Sequence, residues 1–238
     1  MFAFLYLVSV ILLYVIFVLV MFLMRFFKHK AMANILFVVI TFVCYASLVL
    51  VTYLKAGSED WNFRNVLPLA NISPFMFTVM PIFFLLPYKI KKYPLTLISM
   101  LSLGMILSPT VSCIRLFMID YQFHPEFLLD YIAHLSISLF GVYLVQTKQV
   151  ELHIKDALIG GAIIIVVGVL MLVLNAIFDT SFFGLNLHGK HRIYNQVLVD
   201  NSYLSALIYF AGLIVALIAG YFFQKWLLFV FKNRRMVE

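Results

Sequence analysis

Long apolar runs, separated by short polar stretches, set the rhythm of the chain. Seven runs have about the 20 residues that a helix needs to cross the hydrocarbon core of a bilayer: 2–24, 35–54, 66–86, 95–119, 128–146, 156–178 and 202–223. This pattern predicts an all-α integral membrane protein, a seven-transmembrane helix bundle in which residues 1–238 form a single transmembrane domain. No basic segment precedes the first run, and its charges, Arg25, Lys28 and Lys30, follow it. It is therefore expected to be a retained helix and not a cleaved signal peptide.

Composition strengthens the picture. The chain is 65% hydrophobic and 11% charged, with a mean hydropathy of +1.07, whereas soluble domains are roughly 45–50% apolar and about 25% charged. The excess runs along the whole length, which excludes a soluble domain with one anchor. Twelve of the 17 Lys and Arg residues fall in stretches 25–34, 87–94 and 147–155 and in the tail from Lys225. Basic loops favour the cytoplasmic face. The expected topology has the N-terminus outside and the C-terminus cytoplasmic, as a multi-pass protein of the cell membrane. The net charge of +7 then serves topology and anionic headgroups; membrane lipids are the expected partners, and nucleic acid is not. The stretches "RFFKHK", "PYKIKKYP" and "QKWLLFVFKNRR" mix aromatic and basic residues as interfacial anchors do. Cys44 and Cys113 lie inside apolar runs and are read as packing residues.

The polar residues within the runs gather at one level. Given that topology, Asn71, Ser73 and Pro74 lie in the outer half of the third span. Ser108, Pro109, Ser112 and Arg115 lie in that of the fourth. Asp130 and His134 open the fifth span, Asn175 and Asp179 close the sixth, and Asn201, Ser202 and Ser205 open the seventh. The inner halves look nearly free of polar groups. Ionisable residues in membrane spans usually face a partner or a water-filled cavity, so this layer predicts a polar pocket in the outer half of the bilayer. Asp130 and His134, at i and i+4, share a helix face, and the carboxylate can fix the imidazole tautomer. Arg115 can neutralise Asp130 or fork onto a phosphate or carboxylate. Ser73-Pro74 and Ser108-Pro109 can each interrupt a helix and shape the cavity.

Gly212, Ala216 and Gly220 recur every four residues, a ridge that lets helix backbones approach closely. Packing inside the bundle or a homodimer would use it, and Gly160, Gly161 and Gly168 form a similar region in the sixth span. His188 and His191 in the loop 179–201 do not make a metal site by spacing alone, and no metal or other cofactor is expected. The seventh span has no mid-membrane lysine for a Schiff base. No nucleophile elbow, zinc helix motif or phosphate-cradling glycine loop is present.

"LPLANISPF" in the third span, "YIAHLSISLF" in the fifth and "LNAIF" in the sixth resemble the YwaF-like integral membrane family. Its animal relatives include the lipid acyltransferase called transmembrane protein 164. The resemblance spans roughly residues 66–220. It implies a bundle with a polar pocket and, in the animal branch, transfer of an acyl chain between lipids by a cysteine after the third-span proline and a histidine in the fifth span. His134 matches that histidine. Pro68 is followed by Leu69 and Ala70, so the cysteine is missing and a thioester at that position is excluded.

The leading expectation is a lipid-handling protein performing acyl or headgroup transfer. His134 acts as general base, Asp130 orients it and Arg115 binds an anionic group. Asn71 and Asn175 supply hydrogen bonds, Ser73 or Ser112 or a substrate hydroxyl is the nucleophile, and Asp179 joins the polar rim. The alternative is a non-enzymatic lipid- or peptide-binding accessory subunit of an envelope enzyme or exporter. A proton-coupled or small-solute transporter comes third, because the inner halves offer little polar path.

Overall fold

A computed structural model describes residues 2–23, 29–56, 67–68, 72–119, 125–178 and 202–234; side chains at several helical positions, including 108–119, 125–127 and 202–206, fall outside that description. The described residues form α1 (Phe2–Leu23), α2 (Lys30–Ala56), α3 (Ile72–Leu85), α4 (Tyr88–Ile119), α5 (Pro125–Gln146), α6 (Ile154–Phe178) and α7 (Ser202–Arg234). No strand occurs among them. Helices α2, α4, α5, α6 and α7 each contain a segment long and apolar enough to cross a membrane. In hydrocarbon every N–H and C=O must be paired, and a helix does this within its own segment. The described part of α3 is 14 residues long, about 21 Å at the helical rise, which is less than the hydrocarbon thickness.

Local chemistry places some of the ends. Leu86 and Pro87 separate α3 from α4, and the Pro87 carbonyl accepts the amides of Ile90 and Lys91 at 2.9 and 3.0 Å. The expected interruptions at the two Ser-Pro pairs do not occur. Pro74 sits in the first turn of α3, where its missing N–H has no helical partner to lose. Helix α4 runs through Pro109 to Ile119, as helices surrounded by apolar material do when breaking would strand more backbone groups than one proline frees. At its C-terminal end α5 turns out of the helix at Lys148, whose φ is +56°, a left-handed cap of the kind usually given to glycine.

Neighbouring helices run up and down. Ser138 of α5 meets Ser102 of α4, while Gly141 meets Ile98 and Ser99, so α4 and α5 are antiparallel. In α7, Ala216 lies opposite Gly104 and Gln224 opposite Ser99, which makes α7 antiparallel to α4. Lys30 Nζ donates to the Thr147 carbonyl at 2.7 Å, and Asn34 Nδ2 donates to Gln149 Oε1 at 2.7 Å. These bonds join the start of α2 to the end of α5. Lys30, Lys89, Lys148, Lys155 and Lys225 therefore belong to one end of the bundle, called the basic end below.

Helices α4 and α5 form the centre. Helix α5 packs on α1, α2, α3 and α4, while α4 also carries α6 and α7. Every side chain from Ala133 to Val145 is buried. Phe37 of α2 sits against Phe140 and Tyr143 of α5, with ring centroids 5.8 and 5.6 Å apart; each such aromatic pair adds about 0.5–1.5 kcal/mol beyond its area. The outer helices turn apolar side chains such as Leu36, Val166 and Phe222 outward, the surface a bilayer would cover.

Small residues set the closest approaches. A Cβ at Gly220 would collide with the Met100 carbonyl, and one at Gly141 would lie 2.8 Å from the Ile98 carbonyl oxygen. Gly160 rests on Leu97, Gly161 on Leu217 and Gly168 on Phe210. The ridge on α7 is divided: Ala216 and Gly220 face α4, whereas a Cβ at Gly212 would have nothing within 4 Å.

Candidate functional site

The fifth helix carries the acid and the imidazole on one face because four residues span slightly more than one turn. His134 is buried, at 5% exposure, while the Asp130 side chain keeps about a third of its surface, 32%. His134 Nδ1 lies 2.8 Å from the Asp130 backbone oxygen and 3.2 Å from Asp130 Oδ1. Both of these atoms accept hydrogen bonds, so Nδ1 must carry the proton that it donates. In the neutral ring the lone pair then sits on Nε2, the form a general base or a hydrogen-bond acceptor needs. Among the described residues nothing donates to Nε2.

Aromatic packing fixes the plane of the ring. Phe77 of α3 meets the imidazole edge-on, with centroids 4.9 Å apart and planes at 88°. Tyr45 of α2 packs on Phe77 at 5.6 Å, and Tyr14 of α1 meets Tyr131 at 6.1 Å. Among the described residues, the imidazole is therefore flanked by aromatic side chains.

The remaining predicted residues are placed as follows. Ser73 Oγ donates to Met105 Sδ at 3.7 Å, a weak acceptor. Asn175 is buried in α6, a helix that packs on α4 and α7, whereas His134 rides on α5. Ser112 and Arg115 belong to α4, with side chains outside the described part. Asn71 and Asp179 lie outside the described residues altogether, as do His188 and His191. The structure thus brings Asp130 and His134 together and sets Ser73 and Asn175 on other helices. Among the described residues no three His, Cys, Asp or Glu side chains gather closely enough to hold a metal ion.

The expectation that the inner halves are nearly apolar is corrected by the structure. Toward the basic end from His134, the junction of α4, α5 and α7 holds a fully buried polar seam: Ser99, Ser102, Ser138 and Gln224, each at 0% exposure. Ser138 Oγ donates to the Ser102 carbonyl at 2.7 Å, and Ser102 Oγ donates to the Ser99 carbonyl at 2.7 Å. Gln224 Nε2 donates to the Ser99 carbonyl and to Ser102 Oγ, both at 2.9 Å. The physical reason is the length of α7. It continues to Arg234, well past residue 223, so Gln224 is not part of an interfacial anchor but an interior residue. The signal was present in the sequence: Gly220 and Gln224 share a helix face, and a face narrow enough to touch another backbone also carries the next residue inward.

The chain matches no protein-family model, no curated protein and no solved structure.

Proposed function

We propose that the chain is a seven-span protein of the cell membrane, N-terminus outside and C-terminus cytoplasmic, that handles lipids through His134. The observation that carries this reading is the pair of Asp130 oxygens on His134 Nδ1. Together they keep a proton on Nδ1, so that in the neutral ring Nε2 is the nitrogen that takes a proton. Burial among aromatic side chains suits an amphipathic substrate, whose polar group would be the main source of hydrogen bonds there. The resemblance of "YIAHLSISLF" to the YwaF-like family supports the same residue.

In this reading Nε2 takes the proton of a lipid hydroxyl, or of Ser73 or Ser112, as that oxygen attacks an acyl or headgroup ester. The imidazolium formed is stabilised by Asp130 and returns the proton to the leaving group. Arg115, Asn71 and Asn175 are assigned to the anionic group and the developing charge, and Asp179 to the rim. No thioester forms beside Pro68, since Leu69 and Ala70 follow it.

The full chain reconstituted in vesicles of mixed phospholipids tests this by mass spectrometry of the lipids over time. Wild type is expected to change the acyl or headgroup distribution, and His134→Ala to abolish the change while keeping the helical circular dichroism. Identical lipid profiles for the two proteins would refute the catalytic role. A wild-type protein that converts nothing, yet retains stoichiometric lipid or a partner protein, would favour the accessory-subunit reading, to which the absent cysteine also points.

A further inference from the structure

The lysines of the basic end are not all at the same depth. Ser138 meets Ser102 and Gly141 meets Ile98, a register that brings Lys92 and Lys148 to about one level. On α7, Gly220 meets the Met100 carbonyl, so Lys225 lies about one turn deeper than those two, toward the middle of the bundle. Gly168 rests on Phe210 and Gly161 on Leu217. Continued one step further, this antiparallel register of α6 and α7 brings Ile154 level with Gln224, and Lys155 within a turn of Lys225.

A lysine near the end of a membrane helix usually stretches its ammonium toward water. Lys225 does the opposite: its Nζ lies 5.5 Å from the centroid of the Tyr221 ring, one turn further in. Side chains on a helix lean toward its N-terminus, and for α7 that direction leads away from the basic end. No acid answers the charge. Neither Lys225 nor Lys155 forms a salt bridge among the described residues; Glu151 is engaged with His153, and Asp156 is paired with neither lysine. Lys155 also stands in the first turn of α6, where the helix dipole favours an anion. The exposed neighbours of the two lysines are apolar: Ile154 and Leu158 on α6, Phe222, Trp226 and Phe229 on α7. A fitting partner must bring an anion and apolar chains together, which an acidic protein segment does not.

We propose that Lys225 and Lys155 hold the headgroup phosphate of an anionic phospholipid, whose acyl chains lie along the exposed apolar faces of α6 and α7. The site is separate from the His134 chemistry and does not rest on it. Both ammonium groups donate to the phosphate oxygens in charge-assisted hydrogen bonds, and each lysine near a membrane surface adds to the attraction for anionic lipid. A zwitterionic lipid is the weaker ligand, because its headgroup brings a second cation toward the two lysines.

Trp226, next to Lys225 and exposed, serves as the probe. Trp61→Phe leaves it as the one tryptophan of the chain. The full chain is placed in mixed vesicles in which either phosphatidylglycerol or phosphatidylcholine is brominated, at equal mole fractions, and quenching of Trp226 gives the relative binding of the two lipids. A several-fold preference for phosphatidylglycerol is expected. The double variant Lys155→Gln, Lys225→Gln should bring the ratio close to one, while Lys225→Arg, and Lys55→Gln at the far end of α2, should keep it. Equal quenching by both lipids in the parent protein, or a preference that survives the double variant, would overturn the proposal. So would an equal loss in Lys55→Gln, which would trace the effect to net charge alone. A preference abolished by inorganic phosphate, but not by chloride at the same ionic strength, would make free phosphate the occupant and overturn the lipid assignment.

Discussion

The Asp130–His134 pair and the Ser99–Ser102–Ser138–Gln224 seam lie a turn apart on the central helix, and they are made in opposite ways. The pair belongs to a single helix, and its geometry follows from i,i+4 spacing once α5 forms. The seam joins residues 36, 122 and 125 positions apart, and it exists only when three helices have docked. The pair contains two ionisable groups and leaves Nε2 without a donor among the described residues. The seam contains no charge and directs its hydrogens inward, to other helices. A membrane helix can thus carry a local ionisable pair on one turn and an assembly contact on the next, since polar groups serve either end when water is excluded.

The sharpest way to break this comparison acts on Gly220. Gly220→Ala sets a methyl against the Met100 carbonyl and drives α7 from α4. We expect a loss of roughly 1–3 kcal/mol or more, read as a lower midpoint of thermal unfolding in a fixed lipid mixture. Asp130→Asn comes next: it keeps the shape of the pair but removes the anion that stabilises the imidazolium. A carboxylate that orients a general-base histidine is worth about 10²–10⁴-fold. Lipid turnover should fall by that factor while the unfolding midpoint stays close to wild type. A midpoint that falls as far as for Gly220→Ala would make the pair structural as well. Ser138→Ala should have the reverse profile, a stability loss of about 1 kcal/mol with turnover retained. The smallest effect is expected for Gly212→Ala, within about 0.5 kcal/mol, because its Cβ meets open space. Cross-linking of the same variant sharpens the partner question: if it abolishes self-association, the outer part of the ridge is a dimer contact.

The helices were legible because apolar runs of this length have few alternatives in a bilayer, and each of the seven predicted runs overlaps a described helix that agrees with it within a few residues at one end or both. The pair was legible for the same reason that it is local: an acid and an imidazole one turn apart stand out against Leu, Ile and Phe. The seam was not. Serine is unremarked in an apolar helix, where its hydroxyl can bond the preceding turn, as Ser99 does with Leu95. Gln224, next to Lys225 and Trp226, has the composition of a membrane boundary. Only docking reveals that Gln224 points inward, to partners whose sequence distance no periodicity encodes. The Ser-Pro pairs misled in the other direction, because local preference for a break yields to the backbone demand for pairing.

An imidazole aimed by its own helix has a property that one aimed by a neighbour lacks. If α5 tilts or slides within the bundle, Asp130 travels with His134 as a rigid unit and the proton stays on Nδ1. Only the scenery in front of Nε2 changes. Such a device can be uncovered or shut away by the motion of α3, where Phe77 abuts it, without being switched on or off itself.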